Sequence, residues 1–97
     1  MEIANTILAQ LGGNKFIAMT GSKNFIASKE SLTMTLTKNK VKAKYLSVTL
    51  NSNDTYTMLF FSLNRNFERV SKSEKTGVYF DQLQSIFTEV TGLDTHL

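Results

Sequence analysis

The order of apolar periods along the chain predicts an α+β fold: a short N-terminal helix, an antiparallel sheet of about six strands built from hairpins, and a C-terminal helix packed on that sheet. Three observations carry this. The first and last segments repeat their apolar residues at helical spacing, the middle alternates every second residue, and the strand-like runs follow one another without helical segments between them. That is the pattern of a segregated α+β architecture and not of alternating βαβ units. With 97 residues and 41% hydrophobic side chains, the chain has material for one core, so one domain over residues 1–97 is expected.

The first segment places Ile3, Ile7, Leu8 and Leu11 on one helical face, and Gly12-Gly13 supplies the positive-φ positions at which helices stop. A helix over residues 3–11 is too short to persist alone in water and has to dock on something. Next, Lys15–Thr20 and Phe25–Ala27 read as a first hairpin, with Gly21 to Asn24 as its turn. A helical reading of residues 15–20 stays open, because a short apolar run fits both periods.

Leu32–Thr37 and Tyr45–Leu50 alternate cleanly and put aliphatic residues on one face and hydroxyl-bearing ones on the other. Thr55–Leu63 starts by alternating and ends apolar on both faces, as expected of a central strand or of one whose second face a helix covers. Asn64–Asn66 then reads as a turn into a shorter strand, Phe67–Ser71. In the last segment Tyr79, Leu83, Ile86, Phe87 and Val90 form one broad helical stripe, Gly92 ends it, and Leu93 folds back on the final turn. The C-terminal helix is expected to cover one sheet face, leaving Thr33, Thr35, Thr37, Ser47 and Thr49 towards solvent or a partner.

Composition narrows function. The chain has no cysteine, which excludes disulfides and thiolate metal sites and predicts a reducing, cytoplasmic setting. Its first residues lack the basic start and continuous apolar stretch of a signal peptide, and no strictly apolar run is longer than that of Met58–Phe61, so no membrane segment is expected. His96 is the single histidine. It lies where chains fray, and Asp94 beside it makes two ligands where a zinc site takes three or four. The eight carboxylates fall at no spacing that forces an acid–base pair; Asp81 and Glu89, eight apart on the helix, do not meet. Gly12-Gly13 and Gly21 match neither GxxxxGK[ST] nor GxGxxG. A binding protein, not an enzyme, and no cofactor are expected.

Charge is the distinctive feature. All eleven basic residues lie between Lys15 and Lys75, where four acids leave a net of +7, while the helical ends carry Glu2, Asp81, Glu89 and Asp94 with no base. Lys38, Lys40, Lys42 and Lys44 repeat every second residue through KNKVKAK, which on extended chain aims all four amines to one side. Tyr45, Arg65 and Arg69, with Lys72 and Lys75, extend this stripe, which suits a phosphate backbone or an acidic protein. The plainer reading is a solvated sheet edge that resists aggregation. The apolar residues on both faces of the Phe60-Phe61 strand also make a homodimer an option.

The stretch Leu11-Gly-Gly-Asn-Lys-Phe-Ile-Ala-Met-Thr-Gly21 with Lys23-Asn24-Phe25, and the ending Gly77-Val-Tyr79, Leu83-Gln84, Ile86-Phe-Thr88, Thr91-Gly-Leu93 and Thr95-His-Leu97, resembles a family of small uncharacterised proteins and domains of bacteriophages, plasmids and conjugative elements. The absence of proline and the abundance of Asn, Thr and Lys are common in such AT-rich genomes. The resemblance implies two functions. One is an anti-defence, anti-CRISPR-like inhibitor that docks on a host protein or ribonucleoprotein effector, its acidic helical side with Asp81 and Glu89 mimicking phosphate. The other is an accessory nucleic-acid-binding protein using the lysine stripe.

Overall fold

The structure, a computed structural model, describes residues 2–93. Three helices, α1 (Glu2–Leu11), α2 (Gly13–Thr20) and α3 (Leu83–Thr91), accompany five strands, β1 (Lys23–Ala27), β2 (Ser31–Thr35), β3 (Tyr45–Leu50), β4 (Tyr56–Leu63) and β5 (Arg69–Val78). The strands form one antiparallel sheet in sequence order, β1-β2-β3-β4-β5. The α+β class holds, with five strands where about six were expected. None of the described helices is long and apolar enough to cross a membrane.

The missing strand is Lys15–Thr20, which is α2. Gly12 at φ 125° breaks the first helix, and the chain restarts helically at once. At helical spacing Phe16 and Thr20 turn inward while Lys15, Ala18 and Met19 stay exposed. The Thr20 hydroxyl donates to the Phe16 carbonyl at 2.7 Å, and Gly21, at φ 68°, closes the helix with its N–H on the Ile17 carbonyl. A Cβ on Gly21 would stand 2.7 Å from Thr37 Cγ2, so glycine is required there by space as well as by φ.

The C-terminal helix also starts later than its apolar stripe suggests. Tyr79 is extended and exposed, its N–H donating to Gln82 Oε1 at 2.9 Å, and a single 3₁₀ turn, Phe80–Gln82, leads into α3. Gly92 ends α3 in the left-handed conformation and Leu93 packs against the core, as the sequence predicts. Strand β5 runs to Val78, well beyond the expected Ser71, and bulges twice against β4. Its residues 71–76 are polar and mostly exposed because it is an edge strand, so no apolar alternation marks it.

All three helices lie on one face of the sheet. Ile7 and Leu11 of α1, Phe16 of α2, and Leu83 and Phe87 of α3 share one buried cluster with Met34, Leu46, Val48, Met58 and Phe60, the inward residues of β2, β3 and β4. Phe16 meets Phe87 edge-on at 4.9 Å, and Phe60 approaches Phe87 at 6.3 Å. Because Phe87 has no exposed surface and joins both layers, Phe87→Ala should cost about 3–5 kcal/mol, a large part of the stability of a domain this size. Urea unfolding followed by circular dichroism measures it; an unchanged midpoint would contradict the packing described.

Candidate nucleic-acid interface

The helix-free face of the sheet follows from strand register. Thr35, Tyr45, Phe61 and Ser71 make one cross-strand row, Thr33, Ser47, Leu59 and Glu74 the next, and Ser31, Thr49 and Thr57 a third. The expected hydroxyl face is therefore present with two exceptions: Ser47 is buried within it, and Thr37 lies past the end of β2 and donates to the Thr20 carbonyl. Phe61, the second apolar face of the central run, is covered by no helix. Tyr45 stacks on it at 5.4 Å between centroids, and the Arg69 guanidinium lies 4.4 Å from its ring centre. These two neighbours leave Phe61 only 4% exposed, an arrangement worth roughly 0.5–1 kcal/mol for the cation–π contact alone.

The lysine run corrects one expectation and keeps another. Residues 38–44 are not extended strand but a loop between β2 and β3, turned at Lys40-Val41 and carrying Lys42 at φ 60°. Asn39 pegs it: its Nδ2 donates to the carbonyls of Thr37 and Ala43, and its Oδ1 accepts from the Ala43 N–H. Ala43 is buried and Val41 packs on the core, so the alternation survives as inside against outside, and Lys38, Lys40, Lys42 and Lys44 are all exposed. They do not form one straight stripe. Lys38, Lys42 and Lys44 rim a recess of about 300 Å³. Lys40 sits apart, its backbone N–H on the Thr91 carbonyl at the end of α3.

This loop lies at the sheet end that carries the aromatic stack. The Lys44 N–H reaches the Phe61 carbonyl and Ser62 Oγ, and Ser62 Oγ donates to the Lys42 carbonyl. Arg65 and Arg69, both exposed, belong to the adjoining β4–β5 hairpin. The structure thus gathers Lys38, Lys42, Lys44, Tyr45, Arg65 and Arg69 at one end, with Glu68 as the acid of that hairpin turn. The contact of Arg69 with Phe61 has no signal in sequence beyond an Arg facing an apolar run across a turn.

Asp81 and Glu89 are both exposed, but Asp81 is on the 3₁₀ turn and Glu89 near the far end of α3, so no continuous acidic surface forms from them. Asp94 and His96 lie outside the described residues. Among the described residues no group of three or more His, Cys, Asp or Glu is placed to hold a metal ion. A separate open groove of about 730 Å³ runs between α1 and α3, lined by Gln10, Phe80, Asp81 and Gln84 among others. No protein-family model, curated protein or solved structure matches this chain.

Beside this groove the phenol of buried Tyr56 donates to Gln10 Oε1 at 2.8 Å, tying β4 to α1. Burial raises its pKa above the ordinary value, and the negative charge of Asp54 adds to the rise. The fold therefore prefers the neutral phenol. Its contribution is complete below the unfolded value of about 10 and is lost as pH climbs through the higher folded value, since the unfolded chain ionises first. Stability should fall more steeply above that pH in the parent protein than in Tyr56→Phe, which itself should cost about 1 kcal/mol from the lost hydrogen bond. Urea titrations across the alkaline range compare the two; parallel curves would contradict it.

Proposed function

We propose that this protein is a non-catalytic nucleic-acid-binding module whose lysine loop contacts phosphates while the open sheet face beside Tyr45 meets bases. The observation that carries this reading is the shared location of Lys38, Lys42 and Lys44 around one recess and of the Tyr45–Phe61–Arg69 stack at the same sheet end. Cations that follow a backbone beside an aromatic on a flat face are the two components of sequence-tolerant recognition. Thr33, Thr35 and Thr49 add half-buried hydroxyl groups on that face.

A second reading keeps the anti-defence role in a phage or mobile-element setting. It is favoured by the groove between α1 and α3, where exposed Phe80 accompanies Asp81, an aromatic and acidic pair suited to a basic site on a host effector.

Two experiments separate these readings. In the first, affinity for a labelled single-stranded oligonucleotide is measured at several salt concentrations. Four contacts, from Lys38, Lys42, Lys44 and Arg69, imply a log–log slope of roughly −3, and replacing the three lysines with Ser should flatten it by about 2. Folding should survive, because the three side chains are exposed. A parent protein that fails to bind even at low salt would contradict the nucleic-acid reading. In the second, Asp81→Lys with Glu89→Lys should leave the melting temperature unchanged, as both residues are exposed. Under the inhibitor reading this variant loses a protein captured from host lysate, and undiminished capture would exclude that groove as the contact.

A further inference from the structure

The β4–β5 hairpin projects beyond the rest of the sheet. The last row shared by β2 and β3 is that of Thr35, Tyr45 and Phe61, whereas β4 and β5 continue to pair through Ser62 with Val70 and Leu63 with Arg69 before turning. The turn is firmly built. The Asn64 N–H donates to the Glu68 carbonyl, the Phe67 N–H donates to the Asn64 carbonyl, and Asn64 Oδ1 accepts from the N–H groups of Asn66 and Glu68.

At its apex Phe67 has φ 61° and is 83% exposed, more than any other large apolar residue described. That backbone position favours glycine or asparagine, and a bulky side chain there is strained. The ring contributes nothing to the core. A strained, exposed aromatic on a rigid turn directs attention to a role outside the fold. Its surroundings indicate the partner: Arg65 and Arg69 flank it, the lysine loop adjoins β4, and the carboxylate of Glu68 accepts from Asn64 Nδ2.

Resting on the nucleic-acid reading above, we propose that Phe67 is a base-stacking residue for single-stranded nucleic acid, with Arg65 and Arg69 holding the phosphates on either side of the stacked base. A single strand is the fitting partner because its bases are free to leave their own stack and cover an aromatic ring, whereas those of a duplex are already stacked. Phe67 extends the surface that begins at Tyr45, so one strand can run from the sheet face onto the hairpin.

The test compares the parent protein, Phe67→Gly and Phe67→Trp with a fluorescein-labelled oligothymidylate and with its duplex at low salt. Phe67→Gly should weaken single-strand binding about ten-fold and leave duplex binding within about two-fold. It should also raise the unfolding midpoint, since glycine is at ease at this φ. A purely structural role would move stability and binding in the same direction. The chain has no tryptophan, so Phe67→Trp supplies a lone indole that should retain affinity and change emission when the single strand binds. Equal single-strand affinity of the parent and Phe67→Gly would overturn this inference and leave the broader reading standing; no oligonucleotide binding by the parent would overturn both. Phe67-dependent binding to phosphatidylserine vesicles in place of oligonucleotides would assign the residue to a membrane surface and overturn it equally.

Discussion

One apolar layer has to hold three helices to a single sheet, and its centre is the contact of Phe87 with Phe16 and Phe60. None of the three helices exceeds ten residues, and such short helices do not persist in water without tertiary packing. A chain of 97 residues cannot also build a second layer. Placing every helix on one side therefore leaves the opposite face of β2, β3 and β4 without a cover, and its side chains have to meet solvent or a partner directly.

The open face solves this locally. Threonines and serines satisfy most positions, as the Thr33–Ser47 pair does, Leu59 is half-buried, and the aromatic ring of Phe61 is roofed by Tyr45 and Arg69. Because a cation and an aromatic ring form that roof, the same contacts that protect the sheet also present a charged, flat surface. The lysine loop meets it through Ser62, which bonds to the backbones of Lys42 and Lys44. The contacts that stabilise this end of the molecule thus also form the proposed interface, whereas the Tyr56–Gln10 bond serves the helical side.

Much of this was legible in residue patterns. Tyr45–Leu50 forms a strand over the span its alternation marks, and Gly92 with Leu93 ends the last helix as capping chemistry requires. The segments that depart from their residue patterns do so for separate physical reasons. Residues 15–20 satisfy two periods at once, and only the break at Gly12 together with the burial of Phe16 settles them as helix. Strand β5 has no apolar alternation because pairing along an edge needs backbone groups and not side chains. KNKVKAK alternates for a reason other than strand formation: Val41 and Ala43 anchor a loop that Asn39 closes. Phe67 looked like the first residue of a strand, since an apolar side chain after Asn-Arg-Asn gives no hint of a positive φ.

Under the nucleic-acid proposal, the working surface is the sheet end built from the lysine loop, the Tyr45–Phe61–Arg69 stack and the projecting hairpin. The most direct measurement is a titration of the isotopically labelled protein with a short single-stranded oligonucleotide, followed residue by residue through amide chemical shifts. The account expects the perturbed amides to fall in residues 38–45 and 61–72, with α1 and α3 unaffected. Perturbation confined to the groove between α1 and α3, or none anywhere, would contradict it.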